Sequence, residues 1–364
     1  MAKFNISFNG KNFFINESSF ATAYAELKSH LSTVMNGTGA TITLDGITYN
    51  IDATKLTAAE DSFAAYLDTI GGGDEPIIAA AGLYETGSSY TVMKKSWQEL
   101  LDEGVVHVED GMVYTNFDME LGQNNSSSAL AGDLALPNDG SITQFGDFDI
   151  NTFSGHMGFG MCLELTGVII PNSVSYINEW AFVACPALSS VFLPNSITII
   201  GSGAFRYSNS LQFINIPNSV TTISAQAFEE SGLTTINIEN ATIIDYAAFR
   251  KCRAATSITI IGNGQTTIGQ DAFSHADNLI TATIGNGVIT IDSSAFYYCG
   301  KLNSVTIGNN VTTIDSYAFD TCPSLTSIIF EGTTQQWNAI AKGDRWNRDV
   351  PATEVICSDG TVAL

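Results

Sequence analysis

The side chains able to do covalent or metal chemistry are present in this chain but scattered. Four histidines, His30, His107, His156 and His275, lie far apart, and no two have the spacing that lets a pair of imidazoles share a metal. Six cysteines, Cys162, Cys185, Cys252, Cys299, Cys322 and Cys357, contain no Cys-x-x-Cys, so zinc is not indicated. With 37 acidic residues, carboxylate pairs of the kind that hydrolyse glycosides arise by chance. There is no Asp-x-Asp-x-Asp-Gly calcium loop, no nucleophile elbow, no P-loop and no dinucleotide fingerprint after a strand. The sequence predicts no enzyme, no cofactor and no metal. The organised chemistry is that of binding. Ile169, Phe192, Asn215, Asn237, Thr259, Thr283, Thr306 and Ile329 recur at near-constant spacing, beside Gly167, Ser190, Phe213, Thr235, Ser257, Thr281, Ser304 and Ser327. Neutral hydroxyls and amides with an aromatic platform suit a glycan or an extended polar protein surface. Threonine favours exposed strand positions anyway, which accounts for the C-terminal rows; two exposed phenylalanines do not follow from it. The predicted binding residues are Phe192, Phe213, Asn215, Thr235, Asn237, Ser257, Thr259, Thr281 and Thr283, on the concave strand face.

The element that must position them is a repeat. Ala-Phe stands at 181–182, 204–205, 227–228, 248–249, 272–273, 295–296 and 318–319, in steps of 23, 23, 21, 24, 23 and 23 residues. Four residues before each Ala is an Ile, from Ile177 to Ile314, and three after each Phe is a small residue, four times Cys. Strand-like triplets such as Leu188/Val191/Leu193 and Leu302/Val305/Ile307 follow. Alternation in a strand turns Val191 and Leu193 inward and Phe192 outward. A period this regular implies a solenoid in which each coil buries its apolar side against its neighbours, with each Phe stacked on the next. The cysteines of the small position read as buried thiols. A Cys299–Cys322 bridge between adjacent coils is geometrically conceivable, since neighbouring strands lie about 4.8 Å apart.

Ile170-Pro171-Asn172-Ser173-Val174 and Ile216-Pro217-Asn218-Ser219-Val220, placed ahead of Ile, Ala-Phe and a small residue (Cys185, Ser231) at fixed offsets, resemble the BspA-like leucine-rich repeat over about residues 141–330. The tail, with Phe330-Glu331-Gly332, Trp337, Trp346 and Val355-Ile356-Cys357, resembles the usual end of such arrays, and residues 331–364 are expected to cap the solenoid. At the front, Ile142, Phe145 and Phe153 keep the spacing loosely, as an N-terminal cap would.

A second duplication occupies residues 1–72, with an offset of 36 residues. Phe4-x-Ile6-x-Phe8-Asn9-Gly10 aligns with Ala40-x-Ile42-x-Leu44-Asp45-Gly46, and Phe13-x-Ile15 with Tyr49-x-Ile51. Each copy reads as two strands joined by a tight turn, then a helix. Phe14 and Ile47, opposite the presumed core face, are the candidate anchor residues of this small domain. Residues 73–140, joined to it through Gly71-Gly72-Gly73-Asp74-Glu75-Pro76, read as hinge and connector, with a short helix from Trp97 and a hairpin turning at Asp110-Gly111. The expected fold is thus an α+β N-terminal domain (a ββαββα duplication), followed by a leucine-rich-repeat β-solenoid of roughly 7–8 repeats of about 23 residues.

Net charge is −23 over 364 residues. A nucleic-acid partner needs a basic face, so none is expected, nor adhesion to an anionic membrane. No run of about 18 apolar residues and no signal peptide is visible, so neither membrane insertion nor conventional export is expected. BspA-like arrays resemble exported surface proteins. A chain acting outside the cell without export can leave by lysis, as virion proteins do. The sequence reading is therefore a virion surface protein: a capsid decoration protein, head fibre or tail-fibre-like adhesin of bacteriophage origin. Residues 1–72 would dock to a capsid or tail structural protein in multiple copies, and the solenoid would meet a host glycan or protein. The alternatives are a bacterial cell-surface or secreted adhesin, and a structural shell protein packed laterally through its solenoid.

Overall fold

The computed structural model describes residues 5–8, 11–14, 40–44, 47–51, 97–118, 123–124, 130–136, 140–146 and 158–364. Two antiparallel hairpins, Asn5–Phe8 with Lys11–Phe14 and Ala40–Leu44 with Ile47–Ile51, occupy the duplicated segment. The helices expected there, and the side chains of Phe14 and Ile47, lie outside the described residues.

From residue 158 onward every coil contributes to three sides. On the first side, strands Leu165–Ile169, Ser190–Phe192 and Phe213–Ile214 pair in parallel. Thr235–Ile238, the front of Ser257–Ile268, the front of Thr281–Ile291, Ser304–Ile307, Ser327–Phe330 and Glu354–Cys357 pair likewise. The pairing lapses once, between Phe213–Ile214 and Thr235–Ile238, where Thr234 still donates to the Gln212 carbonyl through both its amide and its hydroxyl. On the second side, two-residue strands run unbroken from Tyr176–Ile177 to Ala341–Lys342. The third side is the Ala-Phe turn. There the amides of one coil donate to carbonyls of the next, always in the same direction: Trp180 to Ser202, Phe182 to Ala204, Ala184 to Arg206, and so on to Thr321 and Arg348.

The core is the expected phenylalanine stack. Phe182, Phe205, Phe228, Phe249, Phe273, Phe296 and Phe319 are fully buried, with neighbouring ring centroids 5.0–5.3 Å apart and planes within 12° of parallel. Offset stacks of this kind add to the stabilisation from area burial alone. The structure lengthens the stack by one. Gly158-Phe159 takes the place of an Ala-Phe pair, and Phe159 lies 5.7 Å from Phe182 at 5°. Phe145 closes this end by tilting onto both rings. Phe153, which was to share that place, lies outside the described residues. At the other end Trp346 meets Phe319 edge-on, Trp337 meets Trp346, and Phe330 meets Trp337.

Both ends are closed by atypical elements, as a solenoid requires. Gly132–Ala135 pairs with Leu165–Ile169 and so begins the first side within residues read as connector. The helix Trp97–Asp102 and the hairpin Val106–Glu109/Met112–Thr115 put Leu100, Val106 and Val113 into the same apolar core. At the C-terminus, helix Thr334–Ala339 starts from a capping box between Thr333 and Gln336. Strand Gly360–Ala363 then folds back antiparallel on Glu354–Cys357, leaving a short outer edge of the kind that resists edge-to-edge aggregation.

Corners are where coils approach most closely. Early coils turn at Pro171, Pro194 and Pro217; later ones use glycine. Gly262-Asn263-Gly264 and Gly285-Asn286-Gly287 lie inside continuous strands, Ser257–Ile268 and Thr281–Ile291, which bend from the first side to the second. Gly262 pairs with Gly287, and a Cβ on Gly287 would collide with the Gly262 backbone. The glycines permit this stacking. Asparagines seal the same corner: the Asn240 amide donates to the Asn218 carbonyl, Asn263 to Asn240, and Asn310 to Asn286.

Candidate binding site

The first side carries every predicted binding residue on the outside of its strands. Thr235, Ser257, Thr281, Ser304 and Ser327 pair in register as one row; Asn237, Thr259, Thr283, Thr306 and Ile329 pair as the next. Upstream, Gly167, Ser190 and Phe213 continue the first row, and Ile169 with Phe192 the second. Asn215 directly follows the last of the upstream strands. Their inward neighbours, from Val168 through Val191, Ile258 and Val305 to Ile328, are buried, so the alternation read from the sequence holds. Phe213 is 40% exposed and Phe192 half-buried. They stand diagonally in adjacent rows.

The hydroxyls of this side divide into two groups with different work. At its margin, Ser189, Thr234 and Thr256 each donate to the carbonyl of the preceding coil, and Thr198, Thr221 and Thr312 do so elsewhere. Those groups seal coil to coil. On the face, among the described residues, the hydroxyls of Thr235, Ser257, Thr259, Thr281 and Thr283 have no protein hydrogen-bond partner. They are open to water or to a ligand. No charged side chain stands at any outward strand position between Gly167 and Ile329.

The third side is chemically different, and the sequence reading did not single it out. The residue two after each Ala forms a column that alternates in charge: Arg206, Glu229, Arg250, and further on Asp320 and Arg348. Glu229 is almost fully buried. It faces Arg206 Nε at 2.7 Å and Arg250 Nη1 at 3.9 Å and accepts from Gln226 at 2.8 Å. Arg206 also lies over the Tyr207 ring at 4.6 Å and the Trp180 ring at 5.8 Å, a favourable cation–π placement. Lys251 pairs with Glu230, Arg253 with Asp277 and Arg348 with Asp320. Each of these cations is therefore matched to a carboxylate on a neighbouring coil. His275 packs on Tyr297 and Tyr298; burial first, and then the positive charge of Arg250, lowers its pKa from the ordinary value. The alternation was readable at a fixed offset from Ala-Phe.

The cysteine column is structural. All six thiols are buried and free, Cys299 and Cys322 included. Cys185, Cys252, Cys299 and Cys322 donate to the carbonyls of Phe159, Phe228, Phe273 and Phe296, and Ser208 does the same to Phe182. Burial pushes the thiols of Cys185 and Cys252 up to about 12. Among the described residues no group of three or more His, Cys, Asp or Glu side chains could hold a metal, and no helix is long and apolar enough to cross a membrane.

Comparison with known proteins agrees with the coil pattern. A family described as BspA type leucine-rich repeat region matches residues 150–256 and 242–341, in six copies, and so spans more than half of the chain. No curated protein matches. Seven chains of solved structures do. A leucine-rich repeat protein from T. pallidum is 23% identical, covering 54% of this chain and 82% of its own, with a TM-score of 0.37. One from Eubacterium ventriosum is 18% identical, covering 60% of this chain and 64% of its own, at 0.40. A leucine-rich cell surface protein from Faecalibacterium prausnitzii is 17% identical, covering 65% of this chain and 97% of its own, at 0.23.

Proposed function

Since the chain belongs to the BspA-type leucine-rich repeat family, we propose that it is a non-enzymatic adhesive protein displayed at a surface, which binds through the outer face of its first side. The observation that carries this reading is the set of register-aligned hydroxyls and amides, Thr235 to Thr283, left without protein partners beside Phe192 and Phe213. Neutral donors on a rigid scaffold lose little freedom on binding, and the absence of charge lets an uncharged glycan or polar protein surface approach an otherwise acidic molecule. Residues 1–72 serve as the attachment domain.

The carrier consistent with the sequence is a virion, and a bacterial envelope fits the family equally well. Replacing Phe192 and Phe213 with Ser tests the face: adhesion to cells should be lost with thermal stability nearly unchanged. A large fall in stability with adhesion intact overturns the assignment. Mass spectrometry of gradient-purified extracellular particles tests the carrier. Fixed stoichiometry with a capsid or tail protein supports the virion; recovery in cell envelopes alone supports the bacterial surface.

A further inference from the structure

The first side opens at one place. Strand Phe213–Ile214 pairs with Ser190–Phe192 before it but not with Thr235–Ile238 after it. Ile214 is 9% exposed and Ile216 only partly buried, whereas the inward side chains of the other strands of this side, from Leu134 to Phe330, are at most 5% exposed. At the strand ends of later coils the Gly308 and Glu331 amides donate to the Ile284 and Ile307 carbonyls, and no such bond joins Glu239 to Ile216. A shortened corner accounts for the opening. Leu233 follows Ala227 by six residues, where the matching apolar residue follows its Ala by seven in the other coils from Ala181 to Ala318. The chain is drawn so tightly there that a Cβ on Gly232 would collide with the Asn209 carbonyl. The result is a shallow crevice between two coils. Ile214 and Ile216 form its floor, and Phe213, Asn215, Thr235 and Asn237, all four exposed, form its borders.

We propose that this crevice takes the acetamido group of a neutral 2-acetamido sugar, an N-acetylhexosamine; the inference rests on the adhesive reading above and names the ligand class of that same face. The lining matches the group part by part. Asn215 and Asn237 hold the same outward row on adjacent coils, and among the described residues neither carboxamide has a protein hydrogen-bond partner. A carboxamide carries both donors and an acceptor, so one accepts from the acetamido N–H while the other donates to its C=O. The floor takes the methyl. An isoleucine 9% exposed offers room for a methyl group and not for a ring, and removing that methyl from water is favourable. The Phe213 ring, 40% exposed, gives the apolar face of the pyranose a flat surface. The Thr235 hydroxyl, open to ligand, stands beside it for the sugar hydroxyls. Charge selects the neutral sugar. The exposed carboxylate of Glu239 directly follows strand Thr235–Ile238, in a chain of net charge −23, and repels an anionic one. A hexose lacking the acetamido group leaves the apolar floor and the paired carboxamides unmet.

Calorimetric titration and saturation-transfer NMR of the full chain with N,N′-diacetylchitobiose and with cellobiose are the test. The two disaccharides differ at C2 of each ring, acetamido in one and hydroxyl in the other. Diacetylchitobiose should bind with a dissociation constant of about millimolar order or tighter and receive its strongest saturation at the acetyl methyls. Cellobiose should bind at least tenfold more weakly. Asn215→Ala and Asn237→Ala should each weaken diacetylchitobiose at least tenfold with the melting temperature unchanged, because both side chains are exposed. Gln270→Ala, on the third side, should change nothing. Equal binding of the two sugars, binding of neither, or indifference to either asparagine substitution overturns the proposal. Cell adhesion of the Phe192→Ser, Phe213→Ser variant separates this inference from the reading beneath it. Adhesion lost in that variant, from a wild type without preference for the acetamido sugar, sinks the crevice and leaves the adhesive face standing. Adhesion kept in that variant, with acetamido binding weakened by the asparagine substitutions, supports the crevice and counts against the adhesive face.

Discussion

At the scale of single residues, the stacked phenylalanines are the most consequential side chains. Phe228 is fully buried between Phe205 at 5.2 Å and Phe249 at 5.0 Å. Phe228→Ala removes a ring from both stacks and leaves a void that neighbouring coils cannot close, so a loss of about 3–5 kcal/mol is expected by denaturant titration; a neutral result would mean the ring is not in the core. Ionisable groups give a second check, through pH. His275 has a lowered folded pKa, so the unfolded chain takes up its proton first as pH falls. Its contribution to stability is therefore intact above about 6.5 and declines below that value. A melting-temperature profile should show this acid-side decline reduced in His275→Phe. The cysteines act on the other side. With the thiols of Cys185 and Cys252 at about 12, the folded state keeps protons that the unfolded state releases from about pH 9, so their stabilising contribution is lost as pH rises from there to about 12. Because the thiolate is the reactive form, a thiol reagent at neutral pH should label the buried cysteines only as fast as the coils open.

At the scale of the coil, close backbone approach sets what each corner tolerates. A Cβ at Gly287 would strike the Gly262 backbone, whereas one at Gly300 would meet nothing within 4 Å. Gly287→Ala should cost about 1–3 kcal/mol through forced backbone shifts, and Gly300→Ala close to nothing; comparing their melting temperatures checks the corner geometry. This scale also shows what a sequence reveals and what it conceals. The coils from Ala181 to Phe319 were legible because each packing site demands one residue type at one offset. Gly158-Phe159 was not, since Gly replaces Ala there and Ser154 stands where other coils have Ile. The Gly158 position, its Cβ direction crowded by Phe145 and the Ala181 carbonyl, explains the exchange. The strand Gly132–Ala135 did leave a trace, for Leu134-x-Leu136-Pro137-Asn138 repeats Val168-x-Ile170-Pro171-Asn172. The outward rows were read correctly because alternation is strict. The Arg206–Glu229–Arg250 column was overlooked because buried ion pairs lie off the hydrophobic pattern.

At the scale of the whole molecule, acidity is unevenly shared. Residues 1–157 hold 21 acidic and 6 basic side chains, and residues 158–364 hold 16 and 8. The solenoid can therefore offer uncharged sides while the remainder keeps copies apart in solution, a repulsion that salt should weaken by screening. Light scattering at two ionic strengths checks this, and a second virial coefficient that does not fall at high salt would contradict it.

The one-way hydrogen bonds of the Ala-Phe side have an electrical consequence. Along a helix, peptide groups that point the same way add their dipoles. Here the N–H groups of Trp180, Phe182 and Ala184 point toward the next coil, and those of every later coil repeat the direction as far as Tyr317, Phe319 and Thr321. This side is thus a long polarised strip without a helix, negative at the coil of Phe159 and positive at the coil of Trp346. The negative terminus is met by the hydroxyl of Thr115, which donates to the Gly158 carbonyl at 2.8 Å, and the positive terminus carries the carboxylates of Asp344 and Asp349. The strip therefore has a permanent electrical direction along its length, opposed by the second side, where the amides of Gly201, Ser224 and Asp315 donate backward to Ile177, Ile200 and Ile291.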